Sequence, residues 1–238
     1  MEPGEIAALS WQSRQSVSAA PEWARALPQV SATAEALLPY RSSLIVFGSG
    51  EAQRSQAILD NAGYRTARLV WGEDFESLRE NYRRLGAALG REDRAREQVE
   101  ALDQRLAALQ RRASARAVAP RIAYLSSSGG SAGDGSFIDA AIRAAGGINP
   151  VAEAGASGWT RSDPEFALTL ETDILLTSFF TDGFDGRFAR ARYHAAYAPL
   201  LDAEYRVDIP AGYWPCAGPG LIDAAEAIAD QIDEWVAQ

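Results

Sequence analysis

The sequence predicts an α/β protein of two lobes, each with a central, mostly parallel sheet flanked by helices, joined by one long α-helix. Three observations carry this. Short apolar runs alternate with helix-period segments, the pattern of parallel sheets with helices on their faces. From Leu125 to Ser178 a strand, a Ser/Gly loop, a capped helix, a glycine stop and a second buried strand follow in order. Between Arg91 and Arg112 the chain holds a helical pattern with no Gly or Pro.

From the start, Glu5 to Ser10 reads as a short strand leading into the polar loop Trp11 to Gln15. Ser43 to Phe47 is a second strand, and Gly48-Ser49-Gly50-Glu51 opens a helix that keeps Ile58 and Leu59 inward and stops at Gly63. Thr66 to Val70 is a third strand, and Trp71 to Asp74 caps a helix carrying Phe75, Leu78, Tyr82 and Leu85. Ligand crevices in such sheets lie beyond the carboxyl ends of the strands, where these loops sit.

Ala95, Val99, Leu102, Leu106 and Leu109 recur at spacings of 4, 3, 4 and 3, with charges on the other faces. The segment is a helix of roughly 30 Å. It divides the chain into an N-terminal lobe at 1–90, a connecting helix at 91–112 and a C-terminal lobe at 113–238. In the last part, Arg121 to Leu125 is a strand and Ser126 to Ser136 a loop. Ser136 then caps a helix with Asp139 three residues on, ending at Gly146-Gly147. A turn surrounds Trp159, Asp163-Pro164-Glu165 starts another helix, and Thr172 to Ser178 is a buried strand. Tyr205 to Ile209 and a helix from about Gly220 to Val236 close the chain.

Composition narrows the chemistry. With 238 residues, 47% of them apolar, the chain can bury one or two sizeable cores. All 23 basic residues are Arg, which removes the P-loop lysine and Schiff-base catalysis. His194 and Cys216 are each single, so neither a structural zinc site of Cys and His nor an internal disulfide can be assembled. A net charge of -9 argues against a nucleic-acid partner, which basic patches would serve. No apolar run approaches the ~20 residues of a membrane span, and no leader pattern precedes Ile6, so an export signal is not expected within this sequence.

The ordered set of these elements resembles the ABC-transporter substrate-binding proteins that carry ferric siderophores, haem or cobalamin. Pro3 to Ser10, Leu27-Pro28-Gln29-Val30 followed by Ala34-Glu35-Ala36-Leu37-Leu38 and Leu44-Ile45-Val46, and Leu85 to Gly90 before the long helix carry the likeness, with Leu125 to Ser178. Relative to that family a first strand and helix are expected to be missing ahead of Met1. The resemblance implies a monomeric, periplasmic binder with no catalytic residue, resident metal or cofactor. Its ligand would be an iron–siderophore, haem or a corrinoid, and its partner an ABC permease with its ATPase. In that family one glutamate near a helix start on each lobe docks into arginine pockets of the permease. Glu35 and Glu165 are the matching positions. Two carboxylates held at fixed separation suit Arg forks and set register, although a first-turn Glu also simply complements the helix dipole.

Aromatics and arginines after the strand ends are the candidate ligand contacts: Trp11, Arg14, Phe47 and Trp71 in the first lobe, and Trp159, Arg161, Phe180, Tyr213 and Trp214 in the second. Large planar ligands need aromatic walls, and carboxylate or hydroxamate groups suit guanidinium forks. A nucleotide is disfavoured, because Gly48-Ser49-Gly50 lacks the third glycine of the dinucleotide fingerprint. An α/β enzyme with Asp134, Asp163 or Asp182 as acid or base is the rival from another class. It lacks a nucleophile–base pair, since Ser126 to Gly130 is no nucleophile elbow and His194 lies on a helix-like segment. A binder without a transporter is the third alternative. As a haem-iron ligand, His194 is matched by Tyr193, Tyr197 and Tyr213.

Overall fold

The structure, a computed structural model, describes residues 3–15, 18–50, 52–126, 129–161, 166, 169–177, 206–214 and 218–238. The chain divides into two compact units, Met1–Gly72 with Glu76–Ala101, and Glu73–Phe75 with Leu102–Gln238.

In the first unit, short helices α1 (Glu22–Arg25) and α2 (Ala34–Leu37) precede β1 (Ile45–Phe47), α3 (Gln53–Asn61) and β2 (Thr66–Arg68). β1 and β2 pair in parallel, Ile45 beside Thr66 and Phe47 beside Arg68. Ile45 and Phe47 face a small core with Ala34 and Leu59, while Val46 between them is exposed, the two-residue alternation of a half-buried strand. β2 stops short of the expected Val70, because the Asn81 side chain takes over both backbone groups of Val70, donating to its carbonyl at 3.1 Å and accepting from its amide at 2.8 Å. The strand expected over Glu5 to Ser10 is not formed. Pro3–Glu5 is a 3-10 turn, and Leu9 makes a single bridge to Gln29 through Pro28 O and Val30 N. Continuing that parallel ladder would require an N–H from Pro28, which proline lacks.

Helix α4 (Phe75–Leu89) leads into α5 (Glu92–Ala115), 24 residues and about 36 Å long. The boundary between the units falls inside α5, after Ala101. Ala95, Leu102 and Leu109 are its most buried residues, at the heptad spacing the sequence pattern predicts.

The second unit is built on β3 (Ile122–Leu125), which pairs in parallel with β6 (Ile174–Thr177), itself parallel to β7 (Arg206–Asp208). Every residue of β3 and β6 is buried, as a sheet covered on both faces demands. Helices α6 (Phe137–Ala145) and α8 (Leu221–Val236) pack together, and each buries small residues, Ala141 and Ala145 on one and Ala224, Ala225 and Ala229 on the other. Ser136 caps α6 by accepting from Asp139 N at 3.2 Å, as its sequence predicts. At the other end Gly146 takes a left-handed φ of 88°, so that Gly147 N reaches Ile142 O and Gly146 N reaches Arg143 O, each at 3.0 Å.

Two features depart from expectation. The Ser126 to Ser136 loop contains β4 (Gly130–Ala132), and Trp159, expected in a turn, opens β5 (Trp159–Arg161). β4 and β5 pair antiparallel with Ala132 beside Trp159, while the short helix α7 (Pro150–Glu153) lies between them in sequence. β4, a run of Gly, Ser and Ala, shows no period-2 hydrophobic signal, so only its pairing with β5 reveals it.

Arginines of α5 and of the turn after it are matched to the acidic face of α8. Arg105 meets Asp223 at 2.5 Å and Glu226 at 2.6 Å; Arg112 meets Asp230 at 2.7 Å and Asp233 at 2.6 Å. Arg116 meets Asp233 at 2.6 Å and also donates to the carbonyls of Ala145 and Ala229. Paired carboxylates raise the Arg105 and Arg112 guanidinium pKa further above its already high ordinary value.

Candidate functional site

Within the second unit, the β4–β5 pair holds Trp159 at the surface, 47% exposed, against a wall of buried rings. The Trp159 ring meets Phe137 edge-on with centroids 5.0 Å apart, and Tyr124 edge-on at 6.1 Å. Phe137 in turn stacks on Trp214 at 6.1 Å with the planes 30° apart. Neither ring lies parallel to the indole plane, the interplanar angles being 64° for Phe137 and 82° for Tyr124. Edge-to-face packing of this kind suits ring quadrupoles and fixes the indole's orientation.

Each member of the group is held by its own element. Tyr124 comes from the centre of β3, and its carbonyl accepts from Ser131 Oγ at 2.6 Å, tying β3 to β4. Burial pushes the Tyr124 phenol well above its ordinary pKa, so it stays neutral and is not a source of tyrosinate. Phe137 is the first residue of α6, and its backbone N–H donates to Glu73 Oε2 at 3.2 Å. A carboxylate at a helix start complements the positive end of the dipole. Trp214 is fully buried, and its Nε1 finds no acceptor among the described residues. Below this group Asp139 is buried and paired with Arg143 Nε at 2.7 Å and Asn149 Nδ2 at 3.0 Å, which locks α6 to the start of α7.

Trp159 is thus an exposed aromatic against buried rings, whereas Trp214 belongs to the core and reaches it through Phe137. Tyr213 is half-buried, on a 3-10 turn whose backbone lies against Gly220 at the start of α8. Arg161 is placed through its backbone pairing with Gly130. Phe180, Glu165, Asp163, Asp182, His194, Tyr193, Tyr197 and Cys216 lie outside the described residues. Asp134, a candidate acid, is exposed and ion-paired with Arg143 at 3.1 Å.

In the first unit, Trp71 and Trp11 are exposed, at 62% and 56%, and Trp23 less so at 38%. Phe47 does not join them. It is 4% exposed in the core with Ile45 and Leu59, because its position in β1 points inward. Arg14 is engaged with backbone, donating from Nε to Arg25 O at 3.0 Å and from Nη2 to Leu27 O at 3.2 Å. Its fork secures the turn at Trp11–Arg14. Glu35 is exposed in the first turn of α2, where Thr33 accepts from Ala36 N as the cap. Phe137 and Glu73 escaped sequence reasoning: Phe137 reads as an ordinary first helical residue, and Glu73 acts 64 positions away in the chain.

Among the described residues no group of three or more His, Cys, Asp or Glu is placed to hold a metal, and no helix is long and apolar enough to cross a membrane. What the exposed indoles can do chemically is stack on and bury a large apolar or planar ligand.

The family model described as periplasmic binding protein matches residues 11–188. Among solved structures, the periplasmic haem-binding protein HutB of Vibrio cholerae superposes with a TM-score of 0.78 at 18% identity, covering 95% of this chain and 90% of its own. The periplasmic haem-binding protein RhuT from Roseiflexus sp. RS-1 does so at 0.73 and 21% identity, with the same coverage of 95% and 90%. The periplasmic vitamin B12-binding protein BtuF of Vibrio cholerae gives 0.71 and 18%, covering 98% of this chain and 89% of its own. At these identities the likeness is one of fold. No curated protein matches the chain.

Proposed function

Since the chain belongs to the periplasmic binding protein family, we propose that it is an extracytoplasmic solute-binding protein. It captures an iron complex, siderophore or haem, or cobalamin, and delivers it to an ABC permease. The observation that carries this reading is the family match across 11–188, together with fold neighbours named for haem and for vitamin B12.

The chemistry of the described residues is consistent with it. Exposed Trp159 in the second unit, and Trp71 and Trp11 in the first, are indoles suited to a large planar ligand, and Tyr213 and Arg161 are candidate polar contacts. The ligand is captured and not transformed: the protein is a monomeric binder, not an enzyme, and works in the periplasm. Glu35 and Glu165 are its docking carboxylates for arginine pockets on the permease.

Titration of the purified protein with haemin, cyanocobalamin and a ferric hydroxamate siderophore, read by tryptophan fluorescence and absorbance, tests the reading. One of the three is expected to quench the six tryptophans saturably at one ligand per chain. If none alters fluorescence or melting temperature, the transport-ligand reading is overturned.

A further inference from the structure

We propose that Phe137 is a positioning residue for ligand capture: it holds the exposed indole of Trp159 in its binding orientation and transmits to it the placement of α6. The inference rests on the reading of Trp159 as a ligand wall. Three observations within the second unit converge on Phe137. Its ring meets Trp159 edge-on with centroids at 5.0 Å. On its other side it stacks on the fully buried Trp214 at 6.1 Å. Its backbone N–H is held by the Glu73 carboxylate at 3.2 Å, at the first position of α6.

The physical reasoning follows from exposure. Trp159 is half outside the core, so the rings it meets, Phe137 and the more distant Tyr124, must choose its rotamer, and a three-residue strand restrains its backbone little. A ring with a fixed quadrupole on that side selects one indole orientation, whereas an aliphatic side chain of similar volume tolerates several. An indole free to choose among rotamers must be ordered when ligand binds, and that ordering weakens capture. Phe137 itself cannot drift, since the Trp214 ring and the Glu73 carboxylate hold it from two directions.

The test is a double-mutant cycle on ligand affinity, using haemin, cyanocobalamin and ferric ferrioxamine as probes. Phe137→Leu is expected to raise the Kd of whichever probe the wild-type protein binds by about two- to tenfold. In a Trp159→Ala background the same change should leave Kd unaltered, because the ring it positions is gone. A merely structural role would weaken binding equally in both backgrounds, and that result would overturn the proposal; so would an unchanged Kd in Phe137→Leu alone. Should Phe137→Leu not fold, Phe137→Met, which keeps the volume without the ring, takes its place in the same cycle. Failure of the wild-type protein to bind any probe would instead count against the proposed function.

Discussion

A Cβ placed on Gly133 would lie 2.1 Å from the carbonyl oxygen of Ala156, and that carbonyl is fixed by the Asp134 amide at 2.9 Å. Side-chain motion cannot relieve a contact with backbone. Gly133→Ala is therefore expected to push β4 away from the segment leading to β5, at a cost of about 1–3 kcal/mol. A thermal melt should show Tm lower by roughly 3–10 °C. An unchanged Tm would mean that the two segments are not as close as the structure shows. At the same scale, residue type alone did not reveal which aromatics are exposed and which are core. Trp159 and Trp214 read alike in the sequence, yet one is half exposed and the other buried with its Nε1 unmatched among the described residues. The difference arises from β5, whose partner β4 carries no sequence signal.

Among the elements, α5 and α8 are joined by guanidinium–carboxylate pairs whose outermost carboxylate has a measurable signature. The Arg116 hydrogen bond, and after it that of Arg112, holds the Asp233 carboxyl below the ordinary carboxylate range, against the opposing effect of partial burial. A folded-state pKa below the unfolded value of about 3.9 adds stability at all higher pH, and that contribution disappears as pH falls through the folded value. Asp233→Asn should accordingly lower Tm near neutral pH and converge with the wild-type protein as pH falls through the folded value. Melting curves of both proteins from acid to neutral pH supply the check, and a constant gap across that range would refute the assignment. Because Asp233 is half exposed, the effect is expected to be small and to shrink in high salt. The helices themselves were legible from their periodicity and caps. The pairing between them was not, because Arg105, Arg112 and Arg116 lie more than 110 positions from their partners.

For the molecule as a whole, the proposed roles of capture and delivery can be tested separately. Glu35 is exposed in the first turn of α2, so Glu35→Ala should change stability by no more than about 0.5 kcal/mol and leave ligand Kd as it was. Uptake, or permease-stimulated ATP hydrolysis with the cognate permease reconstituted, should nevertheless fall, and fall further in the double variant with Glu165→Ala. Normal transport by the double variant would return both glutamates to the role of helix-end stabilisers.

The sequence by itself determined the α/β class, the alternation of elements, the long helix and the likeness to siderophore-, haem- and cobalamin-binding proteins. Those are local properties: a Ser136 cap, a Gly146 stop, an apolar residue every third or fourth position, and a run without Gly or Pro are each written in a few adjacent residues. Tertiary structure alone decided that Glu5 to Ser10 forms one bridge instead of a strand, that Phe47 and Trp214 belong to cores, that Arg14 serves backbone carbonyls, and that Glu73 and Phe137 stand behind Trp159. Each of these depends on groups brought together from distant parts of the chain, and an aromatic or a guanidinium has the same local signature whether a neighbour covers it or leaves it to a ligand.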